Sequence, residues 1–210
     1  MISTENISTV KICNMALSKI GQPDITDIEE PSEGARHCRI LFDIDRDAVL
    51  SSFQWSFAVT MRKLAQFKTA SLFPGFDFIY KSPPDSLRII KLINPSASCK
   101  VINNSEAQQE KYRIVSDPDT GLGLILSNIR GAYIEYIRRV TDPTFWDALF
   151  VDALVFKLAS SLSSAISGSG QRMTELLNAY DMSLQKAKVV NANNDSTIYR
   201  TNTSLRDSRR

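Results

Sequence analysis

The sequence predicts an α+β protein: an antiparallel bundle of about four helices, a small antiparallel β-sheet or barrel inserted between the second and third long helices, and an extended C-terminal arm. Three observations carry this prediction. Apolar residues recur at three- and four-residue spacing over residues 9–53 and again over 144–190. Between those stretches the period falls to two, in runs of aromatic and β-branched residues bounded by Pro, Asn, Asp and Gly. After Val190 the chain is rich in Asn, Ser, Thr and Arg and cannot form a core of its own. The expected division is a discontinuous helical domain of residues 1–65 and 141–192, a β-rich insertion of 66–140, and a flexible arm of 193–210.

The first helix is expected from Thr9 to Ile20. Val10, Cys13, Ala16, Leu17 and Ile20 form one apolar stripe, Ser8 caps it, Gly21 stops it and Pro23 keeps it from resuming. An acidic loop, Asp24 to Ser32, leads into a second helix from Ser32 or Glu33 to about Phe53. Cys38, Leu41, Asp45, Ala48, Val49 and Ser52 mark one side of it, and Ile40 and Ile44 widen the apolar band. Arg39 and Asp43, four residues apart, can pair on the surface for about 0.2–0.5 kcal/mol. Asp43, Asp45 and Asp47 read as a solvated charged face. Residues two apart on a helix point in different directions, and the glycine and final glutamate of a calcium loop are missing. Phe53, Trp55 and Phe57 read as a strand or a bend that seals the end of the helical core.

Strand patterns follow. Phe76, Phe78 and Tyr80 alternate with Asp77, Ile79 and Lys81, as in a strand with one buried face, and Pro83-Pro84-Asp85 supplies a turn. Leu87 to Ile93 reads as another strand, broken by Asn94-Pro95. Lys111–Val115 and Leu122–Leu126 flank a hairpin loop from Ser116 to Gly121. Ala132–Val140 is the clearest strand. About five strands are expected, with a polar loop over Asn103–Gln109. Helix returns with Asp142 as cap and Pro143 at the first helical position. Residues 144–166 are apolar over most of their circumference and read as the central buried helix. Gly168-Ser169-Gly170 interrupts, and Gln171 to about Val190 forms the last helix, with Met173, Leu176, Leu177, Tyr180, Leu184 and Ala187 on one face.

Composition narrows the function. The chain carries 25 basic and 23 acidic residues, a net charge of +2, and these are interspersed. That balance argues against an obligatory nucleic-acid or membrane-surface binder. There is no N-terminal signal peptide pattern, and no run approaches the roughly 18 apolar residues of a spanning helix. A soluble protein made in a cytoplasm is expected. Cys13, Cys38 and Cys99 form no CxxC pair and read as reduced thiols, the first two as small core hydrophobes.

Candidates for chemistry are few. His37 is the one histidine, and its neighbour Cys38 faces another way on a helix, so no Cys–His dyad is expected. Asp147 and Asp152 are five apart and do not share a face. Gly121-Leu122-Gly123 lacks the strand–loop–helix setting of a nucleotide site and reads as turn chemistry. Arg138-Arg139 closes a strand and reads as a solvated or interface-facing pair. No zinc ligand set, catalytic residue, metal or cofactor is predicted. Ser196 to Arg200, around Ile198-Tyr199-Arg200, reads either as a segment that adds a strand to a neighbour or as a disordered tail.

Ala16-Leu-Ser-Lys-Ile-Gly21-Gln-Pro23, then Ile28-Glu29, Ala35-Arg36 and a helix ending in Phe53-Gln-Trp55-Ser-Phe57, resemble the tail tubular protein A family, the head-to-tail adaptor of short-tailed phages and related prophages. Tyr80-Lys-Ser-Pro83-Pro-Asp85, and Asp142-Pro143 before an Ala/Leu-rich helix, agree in placement. The resemblance runs in order over residues 9–190. It implies a virion tail protein made in the host bacterial cytoplasm, with no enzymatic activity. Copies would form a ring beneath the portal, expected to be dodecameric, extend the DNA channel, join the tail nozzle or tube protein and help anchor tail fibres. Genomic DNA would pass through the lumen without sequence-specific binding. Ile198, Tyr199, Arg200, Arg138 and Arg139 are the expected interaction residues. The alternatives are a small α+β enzyme of unrecognised type and a weak DNA-binding module.

Overall fold

A computed structural model describes residues 7–68, 74–95, 111–117 and 120–194. It is a mixed α+β protein with four α-helices and two small antiparallel sheets among these residues. Two units are distinguished: residues 1–45 with 146–210, and residues 46–145. The division falls within the second helix.

In the first unit, α1 (Thr9–Lys19) begins at Ser8, whose hydroxyl accepts from the Lys11 amide at 3.2 Å. It ends in a Schellman turn. Gly21 takes φ +72°, its N–H donates to the Ser18 carbonyl, and the Gln22 N–H donates to the Leu17 carbonyl. Ile12, Cys13, Ala16 and Leu17 are buried. The following helix, α2 (Glu33–Ser52), is capped by the Ser32 hydroxyl, which accepts from the Ala35 amide. Gly34 lies where an added Cβ would touch Leu17 and Ile25 at 3.4–3.5 Å, so this turn of α2 sits close to the α1 end.

The helix α3 (Ala148–Leu162) starts at Asp147, not at Asp142 as expected. Asp147 accepts from the Phe150 amide at 2.7 Å, whereas Asp142 and Pro143 open a single 3-10 turn, Pro143–Phe145. A π-helical turn, Ser163–Ser167, continues α3 to Gly168 at φ +60°. Then α4 (Gly170–Asn194) returns against α3, which also packs on α1. Residues Ala148–Ile166 do reach the length and apolar character of a membrane span, against the expectation. More than half of that stretch is buried among the other helices, as in the core helix of a bundle. The Lys19 ammonium lies 4.2 Å from the Phe156 ring centre, and Arg172 donates to the Ile20 carbonyl left open at the end of α1.

Two expectations for α2 are corrected. Ile40 and Ile44 do not widen the buried band; they are 52% and 64% exposed. The three aspartates are not one solvated face: Asp43 is exposed, Asp47 half-buried and Asp45 only 4% exposed. Positions 38, 42, 45 and 49 lie on the buried side, and helical geometry carries Asp45 in with them.

The second unit holds seven strands among the described residues, rather than about five. They are β1 (Val59–Lys63), β2 (Gln66–Lys68), β3 (Phe78–Lys81), β4 (Ser86–Ile93), β5 (Tyr112–Ser116), β6 (Gly123–Ser127) and β7 (Tyr133–Arg138). One sheet has the order β1-β7-β4 and the other β2-β3-β6-β5, antiparallel throughout. Strands β1 and β2 are the additions; their exposed Met61, Arg62, Lys63 and Gln66 conceal the apolar signature of a strand. Side chains alternate across β6. Ile125 joins Leu64, Tyr80, Leu92, Ile129, Ile134 and Tyr136 in one core, while Leu124 and Leu126 join Ile79 on the other face. The buried Tyr80 hydroxyl donates to the Ile129 carbonyl and accepts from the Gly131 amide. Trp55 is buried, its indole N–H donating to the Val49 carbonyl at 2.9 Å, with Phe53 edge-on at 5.0 Å.

Candidate functional site

Two surface features stand out, one in each unit. In the first, the loop from Gln22 to Ser32 is held at several points. The Asn14 amide side chain donates to the Ile25 carbonyl and accepts from the Ile25 N–H, both at 2.9 Å. Glu30 accepts from the Thr26 amide and hydroxyl at 2.8 Å each. The Ser32 hydroxyl and these Thr26 groups hold the Glu30 carboxyl down to about 2, well below the usual carboxylate range. Asp27 accepts from the Glu29 amide, and Glu29 pairs with Arg39 of α2 at 2.7 Å. The result is a stiff loop whose exposed groups include Asp24, Asp27 and Glu29.

In the second unit, a cleft of about 630 Å³ opens where the β1–β2 link, the β3–β4 link and the start of β6 converge. Arg62, Lys63 and Lys81 line it, over Leu64, Pro83 and Leu122. All three cations are exposed, and no acidic residue is found among the described residues lining the cleft. The Lys81 ammonium stands 5.0 Å from the Phe67 ring centre. Gly121, at φ +68°, makes the turn that brings Leu122 to the cleft. Sequence reading missed this grouping. Its signal was the Arg62-Lys63 pair, but Lys81 and Leu122 join it only through strand pairing.

The residues singled out from sequence fall elsewhere. Arg139 donates from Nε to Asp47 at 2.7 Å, and its backbone N–H donates to the Asp85 carbonyl, while Arg138 is half-buried at the end of β7. The pair is thus partly engaged within its own unit. Ile198, Tyr199, Arg200 and Cys99 lie outside the described residues. His37 is half-buried, its Nε2 3.0 Å from Arg36 Nη2 and 3.9 Å from Glu33. Cys38 is buried and meets Cys13, not His37; its hydrogen bond, with burial, pushes the Cys13 thiol up. Asp147 is a helix cap, and Asp152 is half-buried on α3. Burial also pushes Asp45 up, against the Ser161 hydroxyl bond and the charge of Lys157; its Oδ2 is buried without a hydrogen-bond partner. Among the described residues no three His, Cys, Asp or Glu side chains gather where they could hold a metal ion.

What this arrangement offers is recognition surfaces: a stiff acidic loop and a cationic cleft with an apolar floor. Neither the protein-family models nor the curated proteins compared with this chain match it.

Proposed function

We propose that this protein is a head-to-tail adaptor of a short-tailed phage or related prophage, a structural virion component rather than an enzyme. The observation that carries the reading is the ordered resemblance over residues 9–190, from the Ile20-Gly21-Gln22-Pro23 turn through Trp55-Ser-Phe57 to the apolar helix after Asp142-Pro143. The helical stop at Gly21 and the buried Trp55 lend it physical support, because both motifs have definite structural work. The finer architecture belongs to the same reading: an antiparallel four-helix bundle with a β-rich insertion between α2 and α3.

In this reading copies form a ring, expected to be dodecameric, beneath the portal and above the tail nozzle, with tail fibres as a further partner. Contacts that are head-to-tail between copies close into such a ring when the rotation allows. Genomic DNA passes through the lumen, and a nearly balanced charge suits a conduit that should not grip passing phosphates. The arm around Ile198, Tyr199 and Arg200 docks on a neighbour or on the portal, and Arg138 and Arg139 serve an interface.

The test is to mix the purified protein with the portal ring encoded in the same genome and image the product by electron microscopy. An added ring on one end of the portal supports the adaptor. A bare portal beside well-folded protein in excess rejects it. A chain lacking residues 191–210 should fold but dock more weakly; undiminished docking rejects the role of the arm.

A further inference from the structure

We infer that the acidic loop of one copy docks in the cationic cleft of a second copy, giving a head-to-tail contact between identical chains. The cleft, with Arg62, Lys63 and Lys81 around Leu64 and Leu122, is cationic at its edge and apolar within. Its volume of about 630 Å³ suits the side chains of a short protruding segment and is within the range of ligand clefts. The occupant must therefore be short, acidic and tipped with an apolar group.

The chain itself carries such a segment. Between Pro23 and Pro31 the carboxylates of Asp24, Asp27 and Glu29 flank Ile28, which is half-exposed. Ile28 would enter toward Leu64 and Leu122 while Asp24 and Asp27 meet the cations. The loop is already ordered by Asn14 and by Glu30, so little conformational entropy is lost on docking. Double-helical DNA is a poorer occupant, since a broad rod meets a concave cleft at its edges only. Because loop and cleft are different surfaces, the contact is heterologous and propagates from copy to copy. The inference stands on charge and shape, not on the adaptor reading, so a failure to bind a portal leaves it untouched.

The experiment is sedimentation of the full-length protein across concentration, in low and high salt, with two charge-reversed variants. One carries Asp24→Lys and Asp27→Lys, the other Arg62→Glu and Lys63→Glu; all four side chains are exposed or half-exposed, and folding is checked by circular dichroism. The expected result is self-association of the wild type, weakened on the order of tenfold or more by high salt. Each variant alone should be monomeric, and an equimolar mixture should associate again, because the acidic loop of one variant meets the cationic cleft of the other and the reversed loop meets the reversed cleft. A mixture that stays monomeric while the wild type associates overturns the inference. A wild type that stays monomeric at its highest soluble concentration in low salt overturns the inference. So do variants that associate like the wild type. A labelled DNA duplex that binds the wild type and not the Arg62/Lys63 variant, with association unchanged, assigns the cleft to phosphates and overturns it as well.

Discussion

Arg139 reaches Asp47 from 92 positions further along the chain, donating from Nε to Oδ2 at 2.7 Å, while Arg46 holds the other carboxylate oxygen with two donors at 2.9–3.0 Å. One carboxylate thus ties the end of β7 to the last turns of α2. Asp47→Ala should lower stability by about 1–3 kcal/mol, because charged hydrogen bonds are lost from a half-buried group. Arg139→Ala should cost less, about 0.5–1 kcal/mol, since its side chain is 47% exposed and solvent screens the pair. Urea unfolding of both variants and of the double variant measures the coupling; additive effects would show that the pair contributes no stability.

Asp45 makes stability depend on pH in a definite direction. Burial raises its folded pKa above the unfolded value of about 3.9, so the folded state binds more protons between the two values. The contribution is fully present below the unfolded pKa and is lost as pH rises through the folded one. Ser161 and Lys157 on α3 face this carboxyl and moderate the shift without abolishing it. Asp45→Asn should therefore be more stable than the wild type at pH 7, by about 1–2 kcal/mol, and the gap should close as pH falls toward 4. Thermal melts across that range decide it; a gap that widens in acid contradicts the assignment.

Glu30 behaves in the opposite sense. Its folded pKa near 2 is below the usual glutamate value, so its contribution is present above about 4.3 and is lost only as pH falls through 2. Carboxyl-carbon NMR titration should find Glu30 still ionised below the usual glutamate range. Ordinary titration would mean that the loop is not held as described.

The two candidate helix caps should separate by mutation. Asp147→Ala removes the cap of α3 and should cost about 0.5–2 kcal/mol. Asp142→Ala affects a single exposed 3-10 turn and should shift the unfolding midpoint by less. Equal losses would return the helix start to Asp142.

Cys13 and Cys38 should resist thiol reagents in the folded state, since both are buried and the Cys13 thiol is pushed up. In a Cys99→Ser background, Ellman's reagent should react only as the protein unfolds. Prompt reaction of two thiols in native buffer would contradict this.

Much of the helical half was legible because its rules are local. Ser8, Gly21, Ser32 and Gly168 act through bonds or backbone angles within a few residues, and the stripe from Cys13 to Leu17 needs only helical periodicity. The start of α3 was harder to read because two good caps, Asp142 and Asp147, stand five residues apart and only packing chooses between them. Strands β1 and β2 were missed because exposed edge strands carry polar side chains and depend on their partners β7 and β3 for identity.

Local propensity and periodicity suffice for the α+β class, the order of helical and strand-rich regions, the turns at glycine and proline, and the burial of Cys13, Cys38 and Trp55. Tertiary structure decided what depends on distance across the chain. It left Ile40 and Ile44 outside, closed Arg139 onto Asp47, and gathered Arg62, Lys63, Lys81 and Leu122 around one cleft. Such contacts arise from pairing between residues far apart in sequence, and periodicity along one segment contains no information about which partner will meet it.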